Sequence, residues 1–114
     1  MKTIVIVEGS SDTNKLRTIW PDIVTVETSG HGLSQKIINL IVLLSKTHKM
    51  IVFTDPDKPG LDIRKKINEI LSNNCFNVFL PQRPLNHKGK WGVAEAPAKE
   101  IMAAFKEQKK IFLS

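Results

Sequence analysis

The sequence is poor in several residue types that often carry structure or chemistry. It has no tyrosine and a single cysteine, Cys75, so it cannot form an internal disulfide framework or a cysteine-based metal cluster. Its longest apolar run, residues 37–44, is interrupted by Asn39 and falls far short of the roughly 18 residues that a membrane span requires. Its start lacks the apolar segment of a signal peptide. We therefore expect a cytoplasmic protein that does not enter a membrane.

The composition indicates a single globular domain with a basic surface. The 114 residues, 41% of them hydrophobic and 25% charged, suffice for one ordinary core. The net charge of +6 and the isoelectric point of 9.6 favour polyanionic partners, nucleic acid first. Many basic proteins bind no particular anion, so the positions of the charges matter more than their sum.

Strand-like apolar runs alternate with helical patterns along the whole chain. This alternation predicts an α/β fold, with a largely parallel sheet of four to five strands and helices on both faces. The predicted strands are 3–7, 23–27, 50–53, 77–80 and a terminal 111–113, and the predicted helices are 10–19, 33–46, 60–72 and 98–107.

Two of the predicted helices carry apolar patterns that predict how they are buried. The helix 33–46 is apolar around most of its circumference, which predicts either deep burial or an outer face that meets a partner. The helix 98–107 is predicted to bury Ile101, Met102 and Phe105.

Carboxylates follow two of the predicted strands. Glu8 ends the first strand, and Asp55 and Asp57 flank Pro56 just after the third. Because Pro56 restricts its own backbone and that of the residue before it, the two aspartates should project from a stiff segment. Such a pair can hold a hard cation such as Mg²⁺, which takes one or two carboxylates and keeps water and phosphate oxygens as its other ligands. The alternative is an acidic turn in which Asp57 caps the next helix.

The order of strands decides whether these carboxylates meet. In open parallel sheets, ligands bind beyond the carboxyl ends of the strands, where the winding direction reverses. If the first and third strands are neighbours, Glu8, Asp55 and Asp57 converge on one crevice.

Basic residues occur in two places where they could contact phosphates. Lys58 and Arg64 follow the acidic turn, although charges on a helix usually form only a solvated face. The long exposed loop from Pro81 to Gly92, here called the basic loop, is rich in proline, glycine and cations. It carries Arg83, His87, Lys88, Lys90 and Trp91, a mixture that suits phosphate neutralisation and base stacking. A mobile solubilising loop is the alternative.

Three glycines are placed where the backbone must turn. Gly9, Gly30 and Gly60 each follow a strand or precede a helix, and either close approach of the backbone to another group or simple turn geometry accounts for them. Asp12 is interpreted as a charge in the first turn of a helix rather than a metal ligand. His31 lacks a second histidine or cysteine at ligand spacing, so it is interpreted as a turn residue.

The acidic and glycine residues together resemble a known family. Their order and spacing are similar to those of the Toprim domain, which primases, type IA and type II topoisomerases and certain nucleases share. The residues that carry this resemblance are Glu8, Gly9, Asp12, Gly30, Asp55, Pro56, Asp57 and Gly60.

Within that group the chain resembles the ribonuclease M5 family, nucleases that mature 5S ribosomal RNA. This resemblance covers nearly the whole chain and rests on residues 53–60, Ile63-Arg64, the turn 28–30 and residues 88–93. It implies that residues 1–114 form a single Toprim catalytic domain, whereas family members continue into a further C-terminal region. The family has a glutamate after the Gly-Val of the late loop, where this chain has Ala94 followed by Glu95.

The resemblance also implies a function and roles for individual residues. Glu8 would act as general acid or base, and Asp55, Asp57 and Glu8 would hold Mg²⁺. Lys58, Arg64, Arg83, Lys88 and Lys90 are the predicted nucleic-acid contacts. The substrate would be structured RNA, the 5S ribosomal RNA precursor, with a ribosomal protein as a further partner. No tyrosine nucleophile is needed, and the chain has none.

Two other interpretations remain. One is a catalytically silent Toprim module that binds nucleic acid or nucleotide within a larger assembly. The other, a phosphatase or a receiver domain, fits less well because those proteins gather acidic residues after the first strand, where this chain has only Glu8.

Overall fold

The computed structural model describes residues 2–29 and 32–110, and a four-stranded parallel sheet organises them. Its strand order is β2-β1-β3-β4, so the first and third strands are neighbours. The strands are β1 (Lys2–Val7), β2 (Val24–Glu27), β3 (His48–Val52) and β4 (Phe76–Asn77). Ile6 of β1 pairs with Val26 on one side and with Val52 on the other.

Helices cover both faces of the sheet. They are α1 (Ser10–Ile19), α2 (Gln35–Ser45), α3 (Lys58–Ile70) and α4 (Ala98–Lys106). Val5 and Val7 of β1 pack on the side of α1 and α4, whereas Ile4 and Ile6 pack on the side of α2 and α3. Because β1 is buried on both faces, all four of these residues are apolar. The predicted α/β architecture, with helices on both faces of a parallel sheet, is confirmed.

The predicted elements are present with shifted ends. Strand β3 begins two residues before the predicted start, and β4 is limited to Phe76 and Asn77. Asn77 also forms an antiparallel bridge with Lys109 at this edge of the sheet. The predicted terminal strand 111–113, Gly30 and His31 lie outside the described residues.

For α2 one of the two predicted alternatives, deep burial, is contradicted, and for α4 the predicted burial of Met102 was wrong. Helix α2 is not deeply buried, because only Ile41 is fully enclosed while Leu40 and Leu43 are 39% and 62% exposed. That its outer face meets a partner stays a prediction. On α4, Ile101 is buried as predicted, together with Ala104, and Phe105 is partly buried against the same core. Met102 is 45% exposed because it lies one residue off that helical stripe.

The sheet order fixes where a ligand site can form. The chain winds from β1 outward to β2 and then crosses back to β3 on the other side of β1, so the winding reverses between β1 and β3. Glu8 directly follows β1, and Asp55 lies three residues beyond β3. Among the described residues, no helix is long and apolar enough to cross a membrane.

Candidate active site

Main-chain hydrogen bonds extend the pairing of the strands as far as the acidic residues. The N–H of Phe53 donates to the carbonyl of Ile6 over 2.9 Å, which prolongs the pairing of β3 with β1. On the other side, the N–H of Ser29 donates to the carbonyl of Glu8 over 2.9 Å. The sheet therefore fixes the backbone of Glu8, and Asp55 lies at the same edge of the sheet, beyond the carboxyl ends of β1 and β3.

Glu8 and Asp55 are in direct contact. The N–H of Asp55 donates to Oε2 of Glu8 over 3.3 Å, and Asp55 itself is only 9% exposed. Burial raises the pKa of Glu8 to about 8, the neighbouring carboxylate of Asp55 contributes to that rise, and the charge of Asp57 adds a smaller push. At neutral pH and without a cation, the Glu8 carboxyl therefore keeps a proton.

Asp57 is more exposed and caps a helix. It is the N-cap residue of α3, and its Oδ1 accepts a hydrogen bond of 2.8 Å from the N–H of Gly60. The capping alternative is thus confirmed. It uses one carboxylate oxygen, so the role of Asp57 as a metal ligand stays a prediction that the cap does not contradict.

Gly60 allows the start of α3 to pack against the acidic turn. A Cβ atom at this position would overlap the main-chain carbonyl of Asp55, so only glycine fits. The hydroxyl of Thr54 donates to the carbonyl of Gly60 over 2.9 Å, which fastens the same contact. Close backbone approach is confirmed for Gly60. Gly9 faces open space instead, and a Cβ atom there would have no neighbour within 4 Å.

Asp12 adds a third carboxyl group to this region. Its Oδ2 accepts a hydrogen bond of 3.0 Å from the N–H of Gly9, the N-cap residue of α1, which confirms its interpretation as a charge in the first turn. Asp12 is nonetheless 8% exposed, and its pKa is raised by burial and then by the charge of Asp55. Lys90 acts in the opposite direction and lowers that pKa.

Glu8, Asp12 and Asp55, but not Asp57, line an open cavity of about 420 Å³ at the carboxyl ends of β1 and β3. At this cavity, acidic side chains lie close to Lys90, which belongs to the basic loop. The cavity is lined by Glu8, Gly9, Ser10, Ser11, Asp12, Asp55, Lys90, Ala94 and Glu95. A site of this kind can bind a cation and an anionic group side by side.

The carboxylates at this site fit a divalent cation for which the protein supplies only some of the ligands. In residues 2–29 and 32–110, no three histidine, cysteine or acidic side chains form a complete ligand group. The contact between Glu8 and Asp55 nevertheless brings two acids together at a partly open site, which a bound cation would relieve of their mutual repulsion. A hard ion that takes one or two carboxylates and completes its shell with water or phosphate matches this arrangement.

The prediction that Arg64 contacts phosphate is contradicted, since its side chain is 1% exposed. The guanidinium lies inside the protein and donates to main-chain carbonyls at the ends of β3 and β4. Its Nη2 donates to Val78 over 2.6 Å and to Thr54 over 3.4 Å, and its Nη1 donates to Val52 over 3.1 Å. The guanidinium also stacks on Phe79, 4.1 Å from the ring centroid.

Two buried asparagines complete this polar network. Asn77 Oδ1 accepts from Arg64 Nη1 over 3.3 Å and from Asn68 Nδ2 over 2.9 Å. Asn68 Oδ1 in turn accepts from Asn77 Nδ2 over 3.0 Å and from the thiol of Cys75. Arg64 is therefore a structural residue that ties together the strand ends just before Asp55.

The other predicted phosphate contacts lie on the surface. Lys58 is the exposed first residue of α3, and Lys88 and Lys90 are exposed on the basic loop. Arg83 is exposed as well, but its Nε and Nη2 both donate to the carbonyl of His87, over 3.0 and 2.6 Å. For these four residues, contact with nucleic acid stays a prediction.

The basic loop is ordered by its own hydrogen bonds. A ring nitrogen of His87 pairs with the carbonyl of Lys90 at 2.9 Å, and the indole N–H of Trp91 donates to the carbonyl of Pro81 over 2.9 Å. The rings of His87 and Trp91 also pack edge to face at 5.0 Å. These contacts run between residues of the loop itself, and both the contact of its cations with nucleic acid and the alternative of a mobile solubilising loop stay predictions.

Residues 88–93 are marked by family resemblance, but the sequence predicts no contact of Asp55 with Val93, which directly follows the basic loop. The N–H of Val93 donates to Asp55 Oδ1 over 2.8 Å, and both groups are buried. The signal was the Gly92-Val93 pair, a glycine followed by an apolar residue at the end of a polar loop. A main-chain donor leaves no trace in side-chain patterns, so no pattern in the sequence predicts this bond directly.

Comparison with known proteins agrees with this geometry. The profile of the Toprim domain matches residues 3–82, which include β3, nearly all of β1, and the acidic residues Glu8, Asp12, Asp55 and Asp57. The chain belongs to the Toprim family. Its fold is also similar to that of a solved small Toprim domain protein from Bacillus stearothermophilus, with a TM-score of 0.67, 18% identity, and coverage of 94% of this chain and 85% of that one.

Relatives with higher sequence identity are named ribonuclease M5. The protein of that name from Mesoplasma florum is 44% identical over 103 residues, and the one from Bacillus subtilis is 39% identical over 106 residues. These matches cover 89% and 90% of this chain but only 59% and 55% of the relatives. The Toprim chain described here therefore corresponds to little more than half of each.

Proposed function

We propose that this Toprim chain is a Mg²⁺-dependent endoribonuclease domain that cleaves structured RNA, with the 5S ribosomal RNA precursor as its substrate. The observation that carries the proposal is the contact of Glu8 with Asp55 at the point where the winding of the sheet reverses. The similarity to proteins named ribonuclease M5 supports RNA as the substrate class.

Glu8 is suited to proton transfer at neutral pH. A general acid or base works best when its pKa lies near the working pH, and burial beside Asp55 raises the pKa of Glu8 to about 8. Glu8 would give a proton to the leaving oxygen of the cleaved phosphodiester or take one from the attacking water. The hydrogen bond from the N–H of Asp55 holds the carboxylate of Glu8 at the part of the cavity wall that these two residues form.

Mg²⁺ is the cation that this arrangement fits. Asp55, Asp57 and Glu8 would hold it, and it would supply charge neutralisation at the phosphate and lower the pKa of a bound water. Asp57 retains one carboxylate oxygen outside its helix cap, so capping and metal binding are compatible. Magnesium sites commonly use one or two carboxylates together with substrate phosphates, which agrees with an open cavity and an incomplete ligand set among the described residues.

The surface charges suit an RNA backbone beside the acidic cavity. Lys90 lines that cavity, Lys88 precedes it on the basic loop, and Lys58 follows Asp57 directly. Duplex RNA is recognised mainly through its shape, its phosphates and its 2′-hydroxyls, for which ordered cations are sufficient. A ribosomal protein bound to the RNA would be a further partner in the same proposal.

The experiment that tests the proposal is cleavage of a 5S ribosomal RNA precursor with Mg²⁺ and with a chelator present. Wild-type protein should give defined products only with Mg²⁺, and the Asp57→Asn variant should give none. Asparagine is a good N-cap residue, so this variant keeps α3 intact and serves as its own control for folding.

Each outcome is informative. Defined products that disappear in the variant support the nuclease assignment for this chain. Specific RNA binding without Mg²⁺-dependent products leaves two explanations, a silent binding module or a catalytic domain that requires the further C-terminal region of its relatives. Addition of that region decides between them, and continued absence of products overturns the assignment.

A further inference from the structure

The Gly92-Val93 peptide lies against the side chain of Asp55. The N–H of Val93 donates to Asp55 Oδ1 over 2.8 Å, although the two residues are 38 positions apart. Val93 is fully buried and Asp55 is 9% exposed, so water does not compete effectively for this bond.

Position 92 has to be glycine because there is no space for a side chain, and not because of its backbone conformation. A Cβ at Gly92 would lie 2.5 Å from Asp55 Oδ1 and 2.8 Å from its Cγ, far closer than real contacts. Positive φ angles among the described glycines occur at Gly32 and Gly89, not at Gly92. Any side chain at this position would therefore push the Asp55 carboxylate away or lift the peptide off it.

The peptide cannot easily retreat from the carboxylate. The carbonyl of Gly92 accepts from the N–H of Ala96 over 3.0 Å and from that of Glu95 over 3.2 Å. Val93 and Ala96 are both fully buried in the core between the sheet and helices α1 and α4. On the other side, Trp91 is anchored by its bond to the carbonyl of Pro81.

We infer that the Gly92-Val93 peptide is a positioning element that holds the Asp55 carboxylate in the orientation needed for metal binding. It takes one acceptor position of Oδ1 and so fixes the orientation in which the carboxylate presents its remaining lone pairs to a cation. This inference rests on the proposed function, in that Asp55 is taken to hold Mg²⁺.

The test compares Gly92→Ala with wild-type protein by thermal unfolding during a Mg²⁺ titration, without RNA. Ligand binding to the folded state raises the unfolding temperature as the ligand concentration passes its dissociation constant, so this readout is independent of cleavage. We expect the Mg²⁺ concentration for half of the effect to rise by about tenfold or more, as for other residues that orient metal ligands. RNA binding in the presence of a chelator should change by less than about twofold, since Lys88 and Lys90 remain.

Gly89→Ala is the matched control. It lies in the same loop and is strained by its φ of +85°, but no atom lies within 4 Å of its Cβ position. It should lower the unfolding temperature without changing the Mg²⁺ midpoint. An unchanged midpoint in Gly92→Ala as well would overturn the inference while leaving the proposed function intact. Wild-type protein that shows no Mg²⁺ stabilisation would overturn both.

A second measurement covers the case in which Gly92→Ala does not fold. Amide hydrogen exchange of wild-type protein is compared with that of Asp55→Ala, which removes the acceptor but leaves the peptide unaltered. Protection of the Val93 amide should fall, whereas protection of the Ala96 amide, whose acceptor is Gly92, should be retained. Equal protection of Val93 in both proteins would overturn the positioning role.

Discussion

The N–H of Asp55 donates to Oε2 of Glu8 over 3.3 Å, across 47 positions of the sequence. The contact exists because β1 and β3 are adjacent and parallel, so that their carboxyl ends meet at one edge of the sheet. The two acidic side chains nevertheless have different surroundings. Glu8 is driven toward its neutral form by burial, whereas Asp55 receives the N–H of Val93 on its carboxylate.

The two roles of Asp57 can be separated by two substitutions. Asp57→Asn keeps an N-cap acceptor but removes the charge, so we expect cleavage to fall by about 100-fold or more while stability is retained. Asp57→Ala should lose cleavage to the same extent and in addition about 1 kcal/mol of stability. Urea denaturation and RNA cleavage assays measure the two quantities. Normal cleavage by Asp57→Asn would show that Asp57 is a helix cap only.

The raised pKa of Glu8 predicts a pH-dependent stability in the absence of metal. Its pKa is about 8 in the folded state against an ordinary value of 4.5, so between these values the folded state binds the extra proton. The favourable contribution is complete below about pH 4.5 and is lost as the pH rises through about 8. In chelator, the unfolding temperature of wild-type protein should therefore fall over this range.

Glu8→Gln isolates that effect. The variant cannot ionise, so its unfolding temperature should decline less steeply over the same pH range, while its cleavage activity is lost. Thermal unfolding followed by circular dichroism at several pH values in chelator makes the comparison. Parallel curves for the two proteins would show that Glu8 does not carry the pH dependence.

The acidic site was predictable because it depends on strand order and strand ends. The apolar runs placed Glu8 and Asp55 after strands, and a parallel sheet with neighbouring first and third strands leaves one edge where both can lie. The bond from Val93 was not predictable, since it depends on where a long loop returns. The apolar pattern of α2 could not decide between deep burial and an exposed apolar face, because apolar residues such as Leu43 can stay on the surface.

Arg64 shows how a pattern can be present and still be misinterpreted. The buried positions of α3 recur at helical spacing, and they are Gly60, Ile63, Arg64, Ile67 and Asn68. Arg64 and Asn68 therefore belong to the stripe that faces the sheet. A prediction from hydrophobic periodicity alone places a charged residue on the outside. It contains no information on the buried carbonyls at the ends of β3 and β4, which need hydrogen-bond donors.

Replacement of Arg64 should therefore affect stability rather than RNA affinity. Arg64→Met removes the donor to the carbonyl of Val78, and a buried group left unpaired costs about 1–3 kcal/mol. It also removes one of two donors to the carbonyl of Val52, which keeps its bond from the N–H of Val78. Lys65→Met, at the exposed neighbouring position, should change stability by less than about 0.5 kcal/mol. Urea denaturation of both variants measures the difference. A stable Arg64→Met protein with weakened RNA binding would restore the prediction that Arg64 contacts phosphate.

Lys90 should contribute to RNA binding and also to the chemistry at the acidic cavity, because it lines that cavity and acts on the pKa of Asp12. Lys90→Ala should weaken RNA binding and reduce the slope of log affinity against log salt by about 1, the loss of one phosphate contact. Lys106→Ala, an exposed cation on α4, is the control and should leave the slope unchanged. Binding measured over a range of salt concentrations decides between them. Equal slopes for all three proteins would mean that Lys90 contacts no phosphate and acts only on the carboxyl groups beside it.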